Sequence, residues 1–120
     1  MIFKIDDYLS LRDALESVNR LLEERDVSAE RVFDARLVVS ELVGNVLRHA
    51  KTTATLGVEI GGGFVELLVR SELPFIPPTV SKKAEVFAES GRGLFLVDSV
   101  SEERSSTTDG GIRVRIKIAD

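Results

Sequence analysis

Cysteine is absent from the 120 residues. A disulfide framework, a thiolate metal site and a cysteine nucleophile are therefore excluded. Long apolar runs are missing too, and no stretch approaches the roughly 18 apolar residues that would span a bilayer. The opening residues carry Asp6 and Asp7 and no apolar stretch of signal-peptide length, so a cytoplasmic protein without membrane attachment is expected. There is no basic excess: 16 Lys and Arg stand against 20 Asp and Glu, for a net charge of −4. That argues against direct nucleic-acid binding, which needs cations along a phosphate backbone. It leaves nucleotide binding open, since a few local groups decide that. Proline is confined to Pro74, Pro77 and Pro78, all within 71–83, which reads as a loop. No repeat or low-complexity tract occurs.

What is present fits a globular chain. Hydrophobic residues make up 43% and charged residues 30%, enough for one core without disulfides or metals. The length is that of one domain, here 1–120.

Local patterns give the elements. Ile2–Ile5 reads as a short strand. Ser10 is expected to cap a first helix, with Asp13 in the capping-box position. Leu11, Ala14, Leu15, Val18, Leu21 and Leu22 recur at helical spacing, which carries this helix to about Arg25. Ser28 caps a second helix, and Glu30 in its first turn suits the positive end of the dipole. That helix is predicted to run to about Ala50. Thr53–Ile60 and Phe64–Arg70 alternate as half-buried strands, joined through Gly61, Gly62 and Gly63. A short helix is predicted over Gly91–Ser101, a strand over Glu103–Thr107, and a turn at Asp109-Gly110-Gly111. The clearest strand follows, where Ile112, Val114, Ile116 and Ile118 alternate with Arg113, Arg115 and Lys117. The order implies an α+β fold, a mostly antiparallel mixed sheet with helices on one face. The charged outer side of the last strand implies a sheet with one face toward water.

The second helix carries the most informative residues. At about 100° per residue, Glu41, Asn45, Arg48 and His49 fall on one side. Val32, Val39, Val43, Val46, Leu47 and Ala50 are expected on the opposite, core-facing side. A polar stripe of this kind is either a solvated helix face or a site. Gly44-Asn45 at mid-helix favours a site. Asparagine competes for the backbone there, and glycine costs about 1 kcal/mol relative to alanine. His49 alone reads as a cation near the negative end of the helix dipole.

The stretch from Glu41 through Asn45 to Arg48-His49-Ala50 closely resembles the N-box of the GHKL superfamily, and in particular its small bacterial anti-sigma-factor serine/threonine kinases. Gly91-Arg92-Gly93-Leu94 resembles the Gly-x-Gly-Leu turn beneath that superfamily's ATP lid. The ending, Gly110-Gly111 before an alternating strand, agrees as well, and the three motifs stand in family order over nearly the whole chain. The resemblance implies a two-layer α/β sandwich of the GHKL (Bergerat) type that binds ATP and Mg²⁺. It implies that Asn45 ligates the Mg²⁺ bridging the phosphates, and that Glu41 orients or deprotonates the hydroxyl of a protein serine or threonine. It also implies that Gly91, Gly93 and Leu94 form a turn whose backbone N–H groups approach the phosphates, with Arg48 and Arg92 as phosphate partners. The implied partner is a protein, a sigma factor or an anti-anti-sigma antagonist; a homodimer is a further possibility of the family.

One motif departs from the family. Where the superfamily has Asp-x-Gly-x-Gly for adenine, alignment on Pro77-Pro78 puts Ser71, Leu73 and Phe75 in place of the aspartate and the two glycines, with Glu72 beside Ser71. Glu89-Ser90 stands where a basic residue often precedes the Gly-x-Gly turn. Two functions are therefore weighed, an ATP-dependent serine/threonine kinase and a non-catalytic interaction module with an altered adenine pocket. The ATP-binding half of a two-component sensor is a third, less expected one, because no dimerisation helix or phospho-acceptor segment precedes the domain.

Overall fold

The computed structural model describes residues 1–50, 52–71, 97–101, 103–106 and 111–118, with the backbone alone at 49, 50 and 106. Gly91, Arg92, Gly93 and Leu94, the proline-containing loop from Glu72 onward, and Asp109-Gly110 lie outside the described residues.

The described elements run β1 (Ile2–Ile5), α1 (Tyr8–Glu24), α2 (Ala29–Asn45), a π-helical turn (Val46–Ala50), β2 (Ala54–Gly61), β3 (Phe64–Ser71), β4 (Glu103–Ser106) and β5 (Ile112–Lys117). Residues 97–100 are also helical. The strands form one antiparallel sheet in the order β1-β2-β3-β5-β4. The α+β architecture is thus as the sequence implies.

The start of α1 differs from expectation. Asp7, not Ser10, is the N-cap. Its carboxylate accepts from the Ser10 N–H at 2.7 Å, while the Ser10 hydroxyl accepts from the Asp7 N–H at 3.1 Å. The box is therefore acid-first. A carboxylate both accepts the exposed N–H and complements the helix dipole, so the helix begins three residues before the predicted point. Ser28 caps α2 as expected, accepting from the Arg31 N–H at 3.3 Å. The second helix reaches Ala50, but its last five residues widen into the π-turn.

β2 and β3 meet at a two-residue turn. Gly62 has φ of 60° and Gly63 of 82°. Both central residues are left-handed, as the hairpin turn that matches strand twist requires. Leu56 and Val58 of β2, Val65, Leu67 and Val69 of β3, and Ile112, Val114 and Ile116 of β5 point to one side and are buried. α2 packs on β2, β3 and β5, and α1 lies against α2 and β1. Val38, Val39, Leu42, Val43 and Val46 supply the helical half of the core, each fully buried.

The other sheet face is charged. Arg113 pairs with Glu66 at 2.8 Å, and Arg115 with Glu103 at 3.7 Å. Arg115 also lies over the Phe64 ring, 4.2 Å from its centre. Arg104 on β4 grips both carboxylate oxygens of Asp98, at 2.6 and 3.1 Å. That pair ties helical residues 97–100, whose Val97 is fully buried, to the sheet edge. No described helix is long and apolar enough to cross a membrane.

Candidate functional site

The polar stripe of α2 is not one continuous exposed face. Glu41 is half-buried and Arg48 exposed, but Asn45 is fully buried. The helical angles explain this. Measured from Glu41 at about 100° per residue, Asn45 falls near 40°, between Asp34 near 20° and Val38 near 60°. All three of these residues are buried. The buried arc of α2 is thus wider than its apolar residues indicate, and Asn45 lies inside it rather than opposite the core. The bland alternative, a solvated face, does not hold at this position.

A buried primary amide needs hydrogen-bond partners, since a lost one costs about 1–3 kcal/mol. The Asn45 Oδ1 accepts from Arg48 Nη2 at 2.8 Å. Arg48 stands in the π-turn, which starts at Val46, directly after Asn45. Single π-turns in helices are frequent at functional sites. The side chain of His49 lies outside the described residues, so its place in the stripe is not part of this geometry.

Gly44, next to Asn45, is buried as well. A Cβ built there meets no described atom within 4 Å, and its φ is not positive. Neither backbone conformation nor packing by the described residues demands glycine at this position.

Ser71, at the position of the family's adenine aspartate, is the last residue of β3 and pairs with Ala54. By strand alternation it follows Val65, Leu67 and Val69 toward the helix layer. It is half-buried, and β3 itself packs against the π-turn. The strand bearing Ser71 and the turn bearing Arg48 are therefore neighbours in space. Gly91, Arg92, Gly93 and Leu94 add nothing to this geometry, lying outside the described residues.

Sequence reasoning passed over Asp34. It is the one buried acid among the described residues, and it pairs with Arg31 at 3.3 Å. Its signal was the Arg31–Asp34 spacing of three together with its angular place beside Glu41.

Two surface clefts occur elsewhere among the described residues. One, of about 480 Å³, is lined by Asp6, Asp7, Tyr8, Leu47, Thr52 and Thr53. The other, of about 400 Å³, lies where Asn19 and Glu23 of α1 face Phe33 and Arg36 of α2. Neither is lined by Glu41, Asn45 or Arg48.

The chemistry of the α2 residues fits a cation held with phosphate. Asn45 offers a neutral, hard oxygen, Glu41 a carboxylate one helical turn earlier, and Arg48 a permanent positive charge. Among the described residues no group of three or more His, Asp or Glu forms a cation cage. A cation at Asn45 would take most of its oxygens from phosphate and water, the arrangement Mg²⁺ favours.

An antiparallel sheet carries helices on one face, with a buried asparagine at the end of α2. The match to known families is more specific. The profile of the histidine kinase-like ATPase domain covers residues 6–118. The chain belongs to that family of ATPase domains. Comparison with curated proteins gives no match.

Proposed function

We propose that the protein binds Mg-ATP and transfers its γ-phosphoryl group to a serine or threonine of a protein partner, in the manner of the anti-sigma-factor kinases. The observation that carries this reading is the burial of Asn45 one turn after a half-buried Glu41, with a guanidinium on the Asn45 oxygen. A packing helix gains nothing from a buried carboxamide, whereas a phosphate-and-cation site needs an oxygen donor shielded from water.

In this reading Asn45 holds Mg²⁺, which would neutralise charge on the phosphates. Glu41 remains partly accessible and takes the proton from the acceptor hydroxyl as it attacks. Its position one turn before Asn45 puts acceptor and phosphate on the same side of α2. Arg48 supplies positive charge to the phosphoryl oxygens.

Ser71 supports a second reading, a non-catalytic module that keeps the fold as a partner surface. At the end of β3 it offers a short neutral hydroxyl where the family's aspartate supplies charge and reach. One titration separates the two. Calorimetry with Mg-ATP is expected to show binding that Asn45→Ala abolishes. Absence of heat at millimolar nucleotide defeats the kinase reading and leaves the module.

A further inference from the structure

We propose that Arg48 gates the cation position by occupying the oxygen that the cation must take. The inference rests on the Mg-ATP reading above and concerns the regulation of that site.

Three observations lead to it. Asn45 is fully buried, so few groups can reach its carboxamide. A guanidinium, that of Arg48, reaches its oxygen at 2.8 Å. Arg48 itself is exposed, so solvent lies on its other side and it has somewhere to go. An amide oxygen accepts two bonds, and geometry alone would let a cation join Arg48 there. Charge does not permit it at low cost. A divalent ion and a guanidinium on one oxygen repel, and the burial of Asn45 weakens the screening between them. Arginine cannot relieve this by losing a proton. The guanidinium must therefore leave the Asn45 oxygen before a cation is accepted.

The π-turn bears on how it leaves. Arg48 sits within the widened turn of Val46–Ala50 rather than in the regular helix. A local return toward α-helical bonding would shift Arg48 relative to Asn45 while leaving α2 in place. Phosphate gives the displaced guanidinium an anionic partner. Nucleotide and cation then load together: bare Mg²⁺ meets a site already held by a positive charge, and nucleotide draws that charge away. In this scheme Arg48 acts on the cation position through Asn45 and on the nucleotide directly, through phosphate.

The test measures ATP binding calorimetrically over a series of Mg²⁺ concentrations in the wild type, Arg48→Met and Arg48→Lys. The half-saturating Mg²⁺ concentration is expected to fall about tenfold in Arg48→Met, the factor that loss of a charge-assisted bond of about 1.4 kcal/mol converts to. Arg48→Lys keeps the charge and is expected to stay close to wild type. ATP binding without Mg²⁺ is expected to weaken in Arg48→Met, which lacks the phosphate partner. A merely structural Arg48 would alter melting temperature without moving the Mg²⁺ dependence. An unchanged half-saturating Mg²⁺ concentration in Arg48→Met, with ATP still bound, overturns the gate and leaves the functional reading intact. No ATP binding by the wild type at any Mg²⁺ concentration overturns both.

Discussion

Glu41 and Asn45 stand one helical turn apart on α2, yet Glu41 is half-buried while Asn45 is sealed from solvent. In the proposed kinase, the same turn thus presents one group for proton transfer and one for holding the cation. Their substitutions are expected to separate. Glu41→Gln should keep ATP affinity and lower phosphoryl transfer by about 10²–10⁴-fold, the usual worth of a general base. Asn45→Ala should remove ATP binding itself. Calorimetry alongside a phosphorylation assay distinguishes the two, and equal loss of binding in both variants would refute the division of labour.

Leu42 is fully buried between these two residues in sequence and belongs to the helical half of the core. Leu42→Ala should cost about 2–5 kcal/mol of stability, transfer and cavity terms together. Urea unfolding measures this. A loss below about 1 kcal/mol would mean that α2 is not packed on the sheet as described.

Gly44 makes the opposite case. A Cβ there meets no described atom within 4 Å, so Gly44→Ala should raise stability by up to about 1 kcal/mol through helix propensity. Thermal melting without nucleotide reads the change. A fall in melting temperature would show that the space at Gly44 is already filled in the folded protein.

Asp7 links stability to pH. The Ser10 N–H, followed by the Ser10 hydroxyl, holds the Asp7 carboxyl below its ordinary value. A folded pKa below the unfolded one means that the cap's contribution is complete above the unfolded value and is lost as pH falls through the folded value. Asp7→Ala should therefore be less stable than wild type near neutrality, and the two should converge in strong acid. Urea midpoints at both conditions test this. A difference that persists in strong acid would assign the effect to something other than the carboxylate.

The family, the antiparallel sheet and most element limits were legible in the linear order of residues. Apolar spacing places α1 and α2, and alternation places β2, β3 and β5, because each pattern reports which side of its own element avoids water. The Gly61–Gly63 run marks the hairpin, since φ is positive at Gly62 and Gly63, where other residues are strained. Ser28 marks the start of α2 because its local hydrogen bond needs nothing distant.

Other features required the folded chain. Periodicity orders residues around a helix axis but does not say how much of the circumference a sheet and a second helix will cover. That width put Asn45 and Asp34 indoors and left Glu41 at the margin. The choice of Asp7 over Ser10 as cap was a competition between two good acceptors, settled by which one the helix end could use. The π-turn likewise has no linear signature, whereas the Arg48–Asn45 contact follows the spacing of three that put both residues on one side of the helix. The sequence by itself determined the class of protein and which residues could form the site. Tertiary packing decided which of them are shielded from water, because burial depends on how much of each helix the sheet and the second helix cover.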